Sequence, residues 1–129
     1  MPQTKIYGNA AFINAVRSQF SDLLHSCMVD ALNYPVEKRF HRFFPMETEN
    51  FIYPGDRSHR YTVIEISLFE GRSVEAKKGL IRLIYHRLGE GLGLDGDDIE
   101  ITLTETPRCN WGVRGVPGDE LVVNYKVDL

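Results

Sequence analysis

The two halves of this chain carry the same order of sequence patterns: a short alternating segment, a long helical stripe and a second alternating segment. A shift of 60 residues places Pro2 on Thr62, Leu32 on Leu92 and the pair Asn50-Phe51 on Asn110-Trp111. Self-similarity at a fixed spacing indicates a repeated structural unit. We therefore expect a single domain over residues 1–129, built from two related halves at about 2–57 and 61–129.

Each half predicts a strand, a helix and a second strand. Pro35 ends the first helical stripe, and the glycine-rich segment 89–93 stops the second helix. Right-handed crossovers make the two strands of each half parallel. The predicted fold class is α+β, a tandem βαβ repeat with a four-stranded core sheet and two helices on one face. The predicted strands are Lys5 to Tyr7, Glu37 to Phe44, Tyr61 to Phe69, Asp98 to Thr104 and a closing strand from Leu121 to Val127, and the predicted helices run from Phe12 to Ala31 and from Ser73 to Leu88.

One arginine stands where the third predicted strand turns into the second helix, in Phe69-Glu70-Gly71-Arg72-Ser73. Gly71 permits a sharp turn, and Ser73 is a good N-cap residue. Arg72 is therefore expected beside the backbone N–H groups of a helix N-terminus, where a guanidinium can bind a carboxylate with two hydrogen bonds. This turn predicts a site for a small carboxylic acid.

Pro2 is the second candidate residue. Initiator methionine is generally removed before proline, and the mature chain would then begin with a secondary amine. Burial and a neighbouring cation both disfavour the protonated form of an amine, so Pro2 could act as a general base. The alternative is a proline with no catalytic role. Because Pro2 and Arg72 lie outside the apolar stripes, truncating either should change stability by about 1 kcal/mol or less.

Composition limits the classes of function. With 129 residues and 43% hydrophobic content the chain can bury a moderate core, and its net charge of −3 argues against nucleic acid as the main partner. No segment has the length and apolarity of a membrane span, and the first residues do not have the pattern of a signal peptide, so the expected location is cytoplasmic. Neither the spacing of Cys27 and Cys109 nor that of the histidines predicts a metal site.

A local basic cluster occupies the predicted strand from Glu37 to Phe44. Alternation places Arg39 and His41 on one side of that strand and Lys38 and Arg42 on the other. Solvated edge charges explain most such clusters. Arg39 is kept as a candidate second anchor for the substrate. His25, among apolar helix residues, is expected to be a partly buried helix residue rather than a base.

These residues together resemble a known family. From Thr62 to Gly115 the chain resembles the short subunit of 4-oxalocrotonate tautomerase, and from Pro2 to Pro35 it resembles the first half of malonate semialdehyde decarboxylase. Together the two stretches cover most of the chain and are similar to the tautomerase superfamily. The shared motifs are Phe69-Glu70-Gly71-Arg72-Ser73, Leu80-Ile81-Arg82, Thr104-Glu105, Trp111-Gly112 and Met28-Val29-Asp30-Ala31.

The resemblance implies an assembly as well as a site. Members of this family are trimers with sites between subunits, so a homotrimer is implied, and we expect the sheet face opposite the helices to remain apolar and to need a partner. Trp111 would wall an apolar pocket around Pro2, or alternatively pack at a subunit contact, since aromatic residues dominate interfaces too.

Departures from the family argue against its specialised branches. The catalytic aspartate of the decarboxylase falls on Lys38, and the water-activating glutamate of a related dehalogenase falls on Asn110. The second arginine of 4-oxalocrotonate tautomerase falls on Glu100, which puts tight binding of a dicarboxylate in doubt. Arg114 or Arg39 could replace it in space.

The resulting hypothesis is a cofactor-independent keto–enol tautomerase or isomerase of small unsaturated or 2-hydroxy-enol carboxylic acids. Pro2 would move the proton while Arg72 holds the carboxylate, and no cofactor or metal is required. The alternative is a non-catalytic small-molecule-binding or structural trimer that has retained the fold.

Overall fold

The computed structural model describes residues 2–121. Two successive strand–helix–strand units are followed by a short two-stranded hairpin. The elements are β1 (Gln3–Asn9), α1 (Ala10–Leu32), β2 (His41–Met46), β3 (Thr62–Phe69), α2 (Val74–Leu92), β4 (Ile99–Thr106), β5 (Gly112–Val113) and β6 (Val116–Pro117).

The main sheet has the strand order β2-β1-β3-β4. Strand β1 pairs with β2 in parallel, β3 pairs with β4 in parallel, and β1 and β3 join the two halves in antiparallel. The predicted four-stranded sheet with parallel strands in each half is therefore confirmed. Two short 3-10 turns, Thr48–Asn50 and Arg108–Asn110, follow β2 and β4 at the same spacing of 60 residues that relates the halves in the sequence.

Capping residues set the two ends of α2. Ser73 caps α2, because its side chain accepts a hydrogen bond from the Ala76 N–H at 3.1 Å. The glycine-rich segment does not stop α2 at Leu88 as predicted: the helix continues to Leu92 and ends at Gly93, whose φ of 66° is left-handed. Gly91 lies against the side chain of Leu23, so α2 approaches α1 closely at this point.

Both helices pack on one face of the sheet. Alternate residues of β1 and β3 point into the core between sheet and helices, including Ile6, Ile64 and Ile66, which are at most 1% exposed. These strand residues and the apolar faces of the helices form a single core cluster. Packing of helices on one face of the sheet thus follows from period-two strands beside period-3.6 helices.

The opposite sheet face is mainly polar, which corrects the expectation of an apolar face. Lys5 lies between Arg42 and Glu65 across the central strands, and Glu65 pairs in turn with Thr102. The chief apolar feature is Tyr7 stacked on the ring of Phe44, with ring centroids 4.8 Å apart. The same alternation that buries Ile64 and Ile66 turns the polar residues of β3 outward. The expected argument for assembly, an apolar sheet face that needs a partner, therefore does not hold for the described strands.

Strand β2 starts four residues later than predicted. Residues 36 and 37 form a turn that is closed by a hydrogen bond from the Lys38 N–H to the Pro35 carbonyl at 3.2 Å. Lys38, Arg39 and Phe40 therefore lie in a loop, and they do not alternate across a strand. The predicted closing strand from Leu121 to Val127 lies outside the described residues except for Leu121. None of the helices within residues 2–121 has both the length and the apolarity needed to cross a membrane.

Candidate functional site

The N-terminal end of β1 lies at the edge of the sheet where β3 and β4 end. Gln3 pairs with Ser67 near the end of β3, and Ser67 pairs with Thr104 near the end of β4. Pro2 directly precedes this strand and is buried. The fold therefore places Pro2 beside the two chain segments that follow β3 and β4, and these segments carry Arg72 and Trp111.

Arg72 lies deeper than its position in a turn suggests. Gly71 adopts a φ of 124°, which turns the chain between β3 and α2. The Arg72 residue is only 5% exposed, and its Nη1 donates a hydrogen bond to the Phe69 carbonyl at 3.3 Å. Its positive charge is therefore held inside the protein, next to Phe69.

The hairpin of β5 and β6 carries two further predicted site residues. Arg114 and Gly115 join the strands with positive φ angles of 54° and 85°, as in tight two-residue hairpin turns. Trp111 immediately precedes β5, and its ring meets the ring of Phe69 edge-on, with centroids 4.9 Å apart. Because Phe69 also accepts the bond from Arg72, the hairpin and the turn before α2 meet at this buried phenylalanine.

A cleft of about 290 Å³ opens beside this hairpin. Trp111 and Arg114 both line it, together with Gln3, the neighbour of Pro2. Sequence reasoning missed two lining residues, Lys38 and Phe40, because it assigned them to a strand. The loop that carries these two residues is joined to the start of β1 by a backbone hydrogen bond from the Thr4 N–H to the Phe40 carbonyl at 3.0 Å. The full lining is Gln3, Lys38, Phe40, Trp111, Gly112, Val113 and Arg114.

Arg39 does not join this cleft. Its Nη1 lies 2.6 Å from the Asp22 carboxylate and 3.3 Å from the Ser21 hydroxyl, both on α1. The loop after Pro35 thus turns the Arg39 side chain toward α1, and its role as a second anchor stays a prediction. Lys38, its neighbour, lines the cleft in its place.

A larger cavity of about 530 Å³ surrounds Arg39 on the helix side. Its polar side chains pair with one another: Arg39 with Asp22, and the Ser21 hydroxyl with His41 Nδ1 at 2.8 Å. Burial, together with the nearby charges of His25 and Arg39, lowers the pKa of His41 to about 4. We prefer the smaller cleft as the candidate site because it adjoins Pro2 and contains cations beside aromatic walls.

The remaining residues singled out from the sequence lie away from the cleft. His25 is 3% exposed and bonds to the Val36 carbonyl through Nε2 at 2.7 Å, as expected for a buried helix residue. The connector between the halves packs at the other end of β1, where Asn9 donates hydrogen bonds to the Tyr53 hydroxyl and the His59 carbonyl. Within residues 2–121, no three His, Cys, Asp or Glu side chains are grouped so that they could hold a metal ion.

A family described as "Tautomerase enzyme" matches residues 38–114, which is more than half of the chain. The matched stretch begins at Lys38 and ends at Arg114, so it includes Arg72 and Trp111 as well as both cations that line the cleft. Pro2 precedes it.

Two named relatives are similar to this chain over different lengths. The 2-hydroxymuconate tautomerase of Comamonas testosteroni is 35% identical over 57 residues, which cover 44% of this chain and 90% of that protein. The probable tautomerase YusQ of Bacillus subtilis is 25% identical over 116 residues, which cover 86% of this chain and 91% of that protein.

Solved structures share the fold. Malonate semialdehyde decarboxylase superposes with a TM-score of 0.81 at 22% identity, covering 93% of this chain and 99% of the other. A fused 4-OT solved as an asymmetric trimer superposes with a TM-score of 0.80 at 19% identity, covering 91% and 96%. The predicted four-stranded sheet with two helices is thus the architecture of these proteins, and together with the family match this shows that the chain belongs to the tautomerase family.

Proposed function

We propose that this chain is a cofactor-independent tautomerase or isomerase of small unsaturated or 2-hydroxy-enol carboxylic acids. The observation that carries the proposal is the convergence of buried Pro2, the turn with Arg72 and the cleft with Trp111 and Arg114 at one edge of the sheet. Membership of the tautomerase family supports the same reaction class.

Pro2 is the proposed general base after removal of Met1. Pro2 is buried, and burial of an amine disfavours its protonated form, so we expect the nitrogen to be able to accept a proton. The nitrogen would take the proton from the enol hydroxyl and return it to a carbon of the conjugated system, so that the amine is regenerated. The charge of Arg72 would stabilise the enolate that forms between these two proton transfers.

The cleft suggests how the acid is held. Phe40 and Trp111 offer apolar walls for the unsaturated carbon chain, and Lys38 and Arg114 offer positive charge for carboxylates. The site thus has candidate cations for a second carboxylate even though Glu100 stands where the family's second arginine is expected. In this chain Glu100 accepts a hydrogen bond from the Tyr61 hydroxyl at 3.3 Å and lies at the start of β4, away from the cleft.

Lys38 also argues against decarboxylation and hydration as the reaction of this chain. A lysine lines the cleft at the position that aligns with the catalytic aspartate of the decarboxylase. A cation cannot activate water as a carboxylate base does. Asn110, at the position of the dehalogenase glutamate, is an amide in the exposed turn before Trp111. Proton transfer within the acid needs neither activator.

We further propose that the active unit is a homotrimer. The support is the relative described as a fused 4-OT trimer, which shares this fold. Light scattering or sedimentation of the purified protein should report three subunits, and a stable monomer would contradict the proposal.

The mechanism is tested by combining intact mass with enzyme kinetics. Mass spectrometry of the protein made in its own host should show that Met1 is absent, and ketonisation of phenylenolpyruvate should be measurable by absorbance. Pro2→Ala should lower kcat/KM by about tenfold to a thousandfold, whereas the exposed Arg82→Ala should leave it unchanged. Retained methionine, or equal activity in Pro2→Ala and wild type, would favour the alternative of a non-catalytic binding or structural trimer.

A further inference from the structure

Arg108 makes an unusually complete set of contacts for a residue outside the proposed site. Its Nε and Nη2 donate hydrogen bonds to the Gly118 carbonyl at 3.2 and 3.0 Å, and Nη2 also donates to the Leu121 carbonyl at 2.9 Å. Three of the five guanidinium N–H groups are thus directed at backbone carbonyls that follow β6. Arg108 itself lies before β5, so these bonds tie together the two ends of the hairpin segment.

The backbone closes around the same point. The Gly118 N–H donates to the Trp111 carbonyl at 2.6 Å, and the Trp111 N–H donates to the Arg108 carbonyl at 3.2 Å. Gly118 is buried, and a Cβ added there would lie 2.7 Å from the Arg108 carbonyl oxygen. That distance leaves no room for a methyl group, so the closure requires glycine at this position as well as the guanidinium.

Arg108 also contacts the core residue on which the site converges. Its guanidinium carbon lies 5.3 Å from the centre of the Phe69 ring, a distance typical of a cation–π contact. Phe69 is fully buried, contacts Trp111 edge-on and accepts the hydrogen bond from Arg72. A single side chain therefore joins the ends of the hairpin segment and presses that segment against the phenylalanine beside Arg72.

We propose that Arg108 is a positioning residue that latches the β5–β6 hairpin and thereby holds Trp111 and Arg114 along the cleft. The effect of this latch on substrate binding rests on the proposed function. Loss of the latch should weaken substrate binding more than the chemical step, because Pro2 and Arg72 are held by β1 and by the turn before α2. The expected signature is a rise in KM with little change in kcat.

Trp111 is the only tryptophan in the sequence, so its fluorescence reports on the hairpin directly. In Arg108→Ala we expect emission at longer wavelength and stronger quenching by acrylamide, together with a KM increase of about tenfold and kcat within about threefold of wild type. Gly118→Ala should reproduce both effects without removing a charge. Arg82→Ala removes an exposed arginine from α2 and should change neither readout.

Arg108→Lys separates a latch from a simple charge. Lysine keeps the positive charge but cannot make the forked contact with two carbonyls, so it should resemble Arg108→Ala. Recovery of wild-type KM in Arg108→Lys, or unchanged Trp111 quenching in both Arg108→Ala and Gly118→Ala, would overturn the latch. If Arg108→Ala fails to fold, Gly118→Ala decides the question. If wild type shows no tautomerase activity, the proposed function fails while the quenching data still decide the latch.

Discussion

Replacing Arg72 by alanine should destabilise the protein more than its place in a turn suggests. The side chain is 5% exposed and donates to the Phe69 carbonyl, which would be left without this donor. A buried acceptor without its partner costs about 1–3 kcal/mol, and the space left by the side chain adds about 1 kcal/mol. We therefore expect a loss of about 2–4 kcal/mol, which replaces the value of about 1 kcal/mol or less that follows from the sequence pattern alone.

Urea unfolding followed by far-UV circular dichroism would measure this loss. Arg82→Ala is the matched control, since the same substitution at an exposed position of α2 should change the free energy of unfolding by no more than about 0.5 kcal/mol. Activity should be assayed well below the unfolding midpoint of each variant, so that lost catalysis is separated from lost folding. Equal stability of the two variants would refute the reasoning from burial, and normal activity of folded Arg72→Ala would remove Arg72 from the proposed mechanism.

Three other outcomes follow from the structure. Because burial lowers the pKa of His41 to about 4 from about 6.5 in the unfolded chain, the unfolded state binds more protons between these values; stability should be full above about pH 6.5 and fall toward pH 4 by at most about 1.4 kcal/mol per unit. Urea midpoints of His41→Gln should vary less over that window, and identical slopes would contradict this. Gly79→Ala should stabilise α2 by up to about 1 kcal/mol, since no described atom outside the neighbouring helix backbone lies within 4 Å of the added Cβ. Gly91→Ala should be about 1 kcal/mol less stable than Gly79→Ala, because its Cβ would lie 2.6 Å from Leu23 Cδ1 and that side chain must shift, and the opposite order of melting temperatures would refute the close helix contact. Finally, Arg114→Ala should raise KM for dicarboxylic enols more than for monocarboxylic ones, and an equal rise in steady-state assays would exclude Arg114 as the second anchor.

Local sequence signals predicted the start of α2 and the parallel pairing of the strands within each half, but they placed the end of α2 four residues too early. The cap at Ser73 and the left-handed glycine at the end of α2 depend on neighbouring residues, so they are readable without the fold. The start of β2 is not. Alternation continues back to Glu37, but the turn closed by Pro35 and Lys38 removes the first four residues from the strand. The alternating pattern alone does not show that these residues form a turn rather than a strand.

The sequence indicates the turn that carries Arg72 but not how deeply Arg72 is buried. Phe69-Glu70-Gly71-Arg72-Ser73 marks a strand-to-helix turn by local chemistry alone. Arg72 is buried next to Phe69, which in turn contacts Trp111 about 40 residues later, and the loop with Lys38 is held by the bond between Thr4 and Phe40. Both are contacts between segments distant in sequence, and a pattern within one segment does not contain them. Arg108 escaped notice for the same reason.

The repeat also explains why Pro2, Arg72 and Trp111 have no equivalent group at the other edge of the sheet. The shift of 60 residues places Pro2 on Thr62, Arg72 on Phe12 and Trp111 on Phe51, and the antiparallel pairing of β1 with β3 puts the second group at the opposite edge. Thr62 follows Tyr61 in the chain, so its nitrogen is a peptide amide and cannot act as a base.

Aromatic side chains fill the corresponding space at that second edge. Phe51 stacks on Tyr61 with ring centroids 5.7 Å apart, and the Arg60 guanidinium lies 5.4 Å from the centre of the Phe12 ring. Arginine thus stands against an aromatic ring at both edges, with Arg108 on Phe69 at one and Arg60 on Phe12 at the other. At the second edge, however, Arg60 donates to the carbonyls of Leu92 and Gly93 at the end of α2, so it fastens the connector to the helix, whereas Arg108 fastens the hairpin at the first edge.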